Sequence, residues 1–225
     1  MSDPAVLLPD VPGVSSVPPP TPDHFARLEE PRRPWVDLEA LKTRFLSQSS
    51  ALHPDRFHGA DPVTLQAAQA AYTELNSAYQ ALREPRDRLL HLIELEAGAK
   101  PRDIQKIPPG TMDLFVEVGQ VCRDGDAYLV AKSAAVSPML KLGMLRAGLE
   151  WMERFQGLQQ RVNARRDELE TELKAMNAAW EAAPVVGDPA RMAALPLERL
   201  EQIYRAMSYV ARWTGQIQDR LVQLV

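Results

Sequence analysis

His53, Pro54 and Asp55 stand side by side in the stretch Ala51 to Phe57. An imidazole and a carboxylate two residues apart could serve three chemistries. They could exchange protons as an acid–base pair. They could join His58 and Asp61 around a metal. They could also offer charge-assisted hydrogen bonds to a partner protein. The proline decides how they are held. It lacks a backbone donor and bars the preceding residue from staying helical. The helix before it should therefore end near Leu52, leaving His53 and Asp55 on an exposed loop tip. Such a tip does not exclude water, no nucleophile or pocket motif accompanies it, and the irregular spacing suits no defined metal geometry. Docking is the preferred reading. Asp55 can accept a bidentate bond from a partner arginine, His53 can donate or accept, and Pro54 pre-organises the tip so that less entropy is lost on contact.

The elements that must hold this tip are helices. Asp37 is a candidate N-cap for a helix whose apolar positions are Leu38, Leu41, Phe45 and Leu52. Past the loop, Asp61-Pro62 supplies a capping carboxylate followed by proline at the first helical position. Leu65, Ala68, Tyr72, Leu75, Tyr79 and Leu82 then recur at spacings of three and four. A short loop between two such helices predicts an antiparallel pair. Phe45, Tyr72 and Tyr79 are expected in its core, Tyr79 with its hydroxyl at the edge. Asn76 is expected either to cross-link the loop region or to take part in docking. Pro85 opens a further helix, Arg86 to about Glu96, and a shorter one is expected around Asp23 to Leu28.

Residues 1–21 are dense in proline and read as a disordered or extended tail. Gly98 to Gly110, with two glycines and three prolines, reads as a linker between residues 22–97 and 111–225. In the second half, one helix is expected from Met112 to Arg123, ending at Asp124-Gly125, and another from Asp126 to Ser137, ending at Pro138. A long amphipathic pattern follows from Leu142 to about Ala182, with Leu145, Leu149, Met152, Phe155, Leu158 and Val162 on its stripe. A Pro/Gly turn leads to a last helix through Leu200, Ile203, Met207, Val210, Ile217 and Leu224. The two long helices should close as an antiparallel hairpin. Arg161, Arg165 and Arg166 beside Asp167, Glu168, Glu170 and Glu172 read as a solvated face with i,i+4 pairs. No segment alternates with the two-residue period of a strand. The fold class is all-α.

The 225 residues carry a net charge of −4 with no dominant basic run, which argues against a phosphate-gripping nucleic-acid binder. A single cysteine, Cys122, allows neither an internal disulfide nor a cysteine-built metal site, and is most simply a small buried hydrophobe. No apolar run approaches the length of a membrane span, and the first residues do not read as a secretion signal. A cytoplasmic protein is expected, with no cofactor.

Residues 23–96 resemble a J domain of the kind found in HscB co-chaperones. The resemblance rests on Phe25 to Pro31, Asp37 to Phe45, the loop His53-Pro54-Asp55-Arg56-Phe57, and Asn76, Tyr79, Leu82, Pro85, Arg88 and Leu92 to Leu95. The second half is similar in order, Pro108 to Val118 to the family's first C-terminal helix and Ala206 to Trp213 to its last. The resemblance implies a protein that stimulates ATP hydrolysis by a DnaK/HscA-type chaperone. It also implies delivery of an IscU-type iron–sulfur scaffold held on the C-terminal bundle, with no catalysis of its own. It implies a chaperone-binding set of His53, Pro54, Asp55, Arg56, Lys42 and Arg44. It implies a scaffold-binding set of Leu114, Phe115, Val118 and Tyr209 on an exposed apolar face, with packing into the bundle as the competing reading. Residues 46–51 carry no charge, so docking should be weak and salt-sensitive. The alternative is a J-domain adaptor for another cargo, whose helical hairpin drives homo-oligomerisation.

Overall fold

The computed structural model describes residues 21–101 and 106–224. The proline-rich stretch 1–21 lies outside them except for Thr21, as does part of the linker. Among the described residues every regular element is helical: α1 His24–Arg27, α2 Leu38–Leu52, α3 Pro62–Arg83, α4 Pro85–Ala97, α5 Met112–Ala134, α6 Pro138–Ala182, α7 Arg191–Ala194 and α8 Leu197–Leu224. None is long and apolar enough to cross a membrane.

Side-chain caps set the starts of α2 and α3. Asp37 accepts from the backbone N–H groups of Glu39 and Ala40 at 2.9 and 3.1 Å. Asp61 does the same for Val63 and Thr64, both at 3.0 Å. These bonds satisfy donors that a helix leaves orphaned. α2 and α3 pair antiparallel. Phe45 stacks on Tyr79 with ring centroids 4.1 Å apart, over a floor of Leu41, Leu75 and Leu82 that is closed to solvent. α1 is tied across this pair by Arg27, which donates to the Ala71 carbonyl.

α4 connects the N-terminal helices to the C-terminal ones by packing on α8, so one apolar cluster runs from Phe25 through Leu92 to Ile217. Polar clamps reinforce this seam. Trp35 and Asn177 exchange two hydrogen bonds at 3.0 Å, with Lys174 over the Trp35 ring. Arg191 grips both carboxylate oxygens of Glu96 at 2.7 and 2.8 Å and donates to the Pro184 carbonyl. Arg88, also buried, spends its guanidinium on the carbonyls of Pro34 and Leu82.

His91 on α4 packs under α1, where its Nε2 accepts from the His24 backbone N–H at 3.1 Å. Burial, reinforced by the neighbouring His24, lowers its pKa to about 4. The ring is thus neutral when folded, whereas an exposed imidazole in the unfolded chain titrates near about 6.5. The unfolded state takes up the proton first, so stability is intact above pH ~6.5 and is lost as pH falls toward ~4. Urea unfolding from pH 7 to 4 should show this decline, and His91→Phe should flatten it.

The C-terminal half differs from the sequence expectation at one junction. α5 does not stop at Asp124-Gly125 but runs unbroken to Ala134. Gly125 sits in the helix interior against α6, where an added Cβ would lie 2.5 Å from Phe155 Cζ. The glycine is there for close helix approach, not for a turn. Gly125→Ala should gain helix propensity of about 1 kcal/mol but lose more to overpacking, about 1–3 kcal/mol. The net effect should be a melting temperature lower by a few degrees in calorimetry. Pro138 does end a segment, yet it also begins α6, capped by the Ser137 hydroxyl.

α8 lies antiparallel to α6, Arg199 meeting Glu172 and Gln159 meeting Gln218. Phe155, Leu158, Val162, Leu169 and Leu173 of α6 are buried. Leu145 and Leu149 are not. They extend the same stripe but are exposed, lining a groove with Leu224 at the end of α8. The arginine cluster is likewise not confined to one helix: Arg161 reaches across to Glu117 of α5, while Arg165 and Arg166 pair along α6 with Glu168 and Glu170.

Candidate functional site

Two places among the described residues are candidates for function: the α2–α3 loop and a groove between α5 and α8.

The loop is built by its own residues. α2 ends at Leu52, and His53 turns the chain into an extended conformation (φ −58°, ψ 128°) ahead of Pro54. Pro54–Phe57 forms one 3-10 turn, closed by the Arg56 N–H on the His53 carbonyl. His53 Nδ1 accepts from the Asp55 N–H at 3.3 Å, which in the neutral ring leaves the hydrogen on Nε2. The ring edge rests on Tyr72 at 5.5 Å. Among the described residues the Asp55 carboxylate has only His53 within reach, at 3.4 Å, and is 88% exposed. An exposed carboxylate beside an imidazole donor, on a tip held by proline, a 3-10 turn and an aromatic rest, is equipped for protein contact.

The basic residues expected around the tip separate. Lys42 is exposed on α2. Arg56 folds back to donate to the Ser50 carbonyl at 3.3 Å, satisfying one of the last acceptors of α2. Arg44 is engaged elsewhere. It pairs with the carboxylate of Glu30, which is closed to solvent and also held by Arg33. Its charge is largely neutralised in place. Asn76 does not cross-link the loop; its amide donates to the Tyr72 carbonyl one turn back.

The groove is aromatic. Phe115 of α5 meets Tyr209 edge-on at 6.0 Å and Trp213 at 6.5 Å, and Tyr209 packs on Trp213 at 5.6 Å. Arg212 lies over the Tyr209 ring, and Arg123 completes the rim. The four expected residues play different parts. Phe115 is 39% exposed and stands as a ridge. Leu114 is half-buried against the core. Val118 and Tyr209 are buried, at 1% and 8% exposure, so they form the floor and not an exposed face as expected. Phe115 claims the space above Tyr209, and α8 covers Val118. Exposed Met112 and Val116 complete the ridge. They were absent from the expected set although their spacing to Phe115, three before and one after, marks one helical face. Trp213 was missed for a different reason: its position on the floor depends on how α5 meets α8.

No protein-family model matches the chain. An 80-residue segment is 35% identical to the co-chaperone protein HscB homolog of Paraburkholderia xenovorans (strain LB400), covering 34% of this chain and 46% of that protein. A 91-residue segment is 33% identical to the HscB homolog of Bordetella petrii, covering 40% of this chain and 51% of that one. In sequence the chain thus spans about half the length of the curated relatives it matches. The likeness in fold is broader. The chain superposes on the crystal structure of human co-chaperone protein HscB with a TM-score of 0.57 at 19% identity, covering 93% of each. Against chaperone HscB from Vibrio cholerae the TM-score is 0.52, also at 19% identity, over 90% of this chain and 99% of that one.

Proposed function

From the premise that this chain is HscB-like, with an N-terminal J-type unit and a C-terminal helical bundle, we propose that it is a non-enzymatic co-chaperone that stimulates a DnaK/HscA-type ATPase. The observation that carries the proposal is the α2–α3 loop. Its His53 and Asp55 contacts are local, leaving the carboxylate open to a partner arginine. A charge-assisted bidentate bond there would gain both energy and orientation. Lys42 would steer encounter; Arg44, paired with Glu30, would add little. Association should therefore be weak and should weaken further with salt.

The C-terminal groove is the proposed seat of cargo, an IscU-type iron–sulfur scaffold. A protruding aromatic on a packed aromatic floor, rimmed by Arg123 and Arg212, has the composition in which interface energy concentrates. The contact set proposed is Phe115 with Met112 and Val116 as the touching residues, Leu114 beside them, and Val118 and Tyr209 shaping the floor. The test measures single-turnover ATP hydrolysis by the host's DnaK/HscA-type chaperone, with this protein alone and with scaffold added. Stimulation that rises synergistically with scaffold supports both halves of the proposal. Stimulation indifferent to scaffold keeps the J-type role and moves the cargo assignment to the adaptor reading. No stimulation overturns both.

Phe115→Ala should weaken scaffold binding by about 2 kcal/mol, roughly thirtyfold, as read by titration calorimetry. Its intrinsic effect on the chaperone without scaffold should be nil.

A further inference from the structure

Most arginines among the described residues are engaged within the molecule. The majority end on a carboxylate, as Arg154 does on Asp124, Arg161 on Glu117 and Arg220 on Asp126. Arg27, Arg56 and Arg88 end instead on backbone carbonyls. Arg123 and Arg212 do neither among the described residues. Both are exposed, and both line the α5–α8 groove, a cavity of about 330 Å³.

Each is held in place by something other than an acid. The Arg212 guanidinium lies over the Tyr209 ring, 5.6 Å from its centroid. Arg123 donates to the Gln120 side chain at 2.7 Å, and a Cβ on Gly119 would sit 3.4 Å from its other terminal nitrogen. The nearby carboxylates are taken. Asp124 accepts from Gln120 and pairs with Arg154, while Glu117 and Asp126 are held by Arg161 and Arg220. No acidic residue is among those that line the groove. It therefore keeps two uncompensated positive charges in a chain whose net charge is −4.

We infer that this groove selects an acidic partner segment, one whose apolar side chain seats beside Phe115 while its carboxylates engage Arg123 and Arg212. Charge complementarity selects this occupant. A cleft lined by one sign of charge concentrates the opposite sign, and a planar guanidinium suits a carboxylate through paired N–H bonds. A basic segment would meet repulsion from both arginines. A nucleic acid fits less well, because Tyr209 and Trp213 are buried and offer no open ring face for a base to stack on. The inference rests on the reading of this groove as a protein-docking site, but not on that protein being the scaffold.

Two probes keep the inference and that choice of cargo apart. One is the IscU-type scaffold, titrated calorimetrically against the full chain. The other is a pair of short dansyl-labelled peptides, identical in their Leu positions and carrying either Glu or Lys between them, followed by fluorescence anisotropy. The Glu peptide should bind wild type about tenfold more tightly than the Lys peptide. Arg123→Glu/Arg212→Glu should reverse that preference with the melting temperature kept within about 2 °C, since both side chains are exposed. The same double variant should weaken the scaffold about tenfold, and so should added salt. A Glu preference that charge reversal removes, with no scaffold bound, supports the inference and overturns only the cargo. Scaffold binding that Phe115→Ala weakens but charge reversal and salt leave unchanged overturns the inference and keeps the cargo. No preference for the Glu peptide on wild type, or one that survives charge reversal, also overturns it.

Discussion

Replacing His53 by Gln, or Asp55 by Asn, is expected to reduce stimulation of a DnaK/HscA-type ATPase by more than about tenfold while leaving the melting temperature within about 1 °C of wild type. The two halves of this expectation have separate causes. The fold should not notice, because the His53 contacts are an edge contact to Tyr72 and short-range contacts to the Asp55 N–H and carboxylate, and the Asp55 carboxylate stands in solvent. Exposed substitutions of this kind typically change stability by less than about 0.5 kcal/mol. The partner should notice, because a hydrogen bond to a charged group is worth about 1.5–3 kcal/mol, which is roughly ten- to a hundredfold in affinity. His53→Gln also removes the ring that seats on Tyr72 and the acceptor that orients Asp55. Pro54→Ala should act more mildly, by loosening the tip. Retained stimulation in Asp55→Asn, with folding verified by calorimetry, would remove the loop from the proposed mechanism.

The second large effect concerns the seam between the N-terminal and C-terminal helices. Arg191→Ala should destabilise the protein by about 3 kcal/mol, since it leaves the Glu96 carboxylate buried without its partner. It also strips the Pro184 carbonyl of its donor. For a chain of this size that corresponds to a melting temperature lower by about 6–12 °C. Arg191→Met/Glu96→Leu should recover most of the loss, because removing both charges abolishes the unpaired burial. The bond to Glu96 holds the Arg191 guanidinium above its ordinary pKa. X-ray scattering reports the mechanical consequence: a larger radius of gyration in the single variant, as α4 loosens from α8, and a return toward wild type in the double. A single variant as stable as wild type would show that the apolar α4–α8 contact holds the seam without the ion pair.

Much of the N-terminal unit is legible residue by residue because its rules are local. Asp37 and Asp61 cap helices through bonds to N–H groups two and three residues away. Pro54 stops α2 through its own ring. The three/four spacing on α3 predicts Leu75 and Leu82 as core. Each inference needs only the covalent chain and its near neighbours. Arg44 marks where that reach ends. Its type and place suggest a docking charge, but Glu30, fourteen positions earlier, takes up that charge from the turn after α1.

The C-terminal half divides along the same line. Its helical character and all-α class follow from periodicity alone. Gly125 has the local signature of a helix stop, yet Phe155, thirty positions on, makes it a close-contact residue inside α5. Phe115, Val118 and Tyr209 all read as one apolar patch, but only the approach of α8 to α5 makes Phe115 a ridge and the other two its floor. The α6 stripe is continuous in sequence from Leu142 to Val162. Its C-terminal part is core and its N-terminal part is exposed, because burial depends on which distant segments pack alongside. By itself the sequence determined the helical class, the capped starts of α2 and α3, the stop of α2, and a loop whose geometry is set by three adjacent residues. Tertiary structure alone decided which apolar residues face solvent and which charges stay available, because both depend on what a distant segment covers.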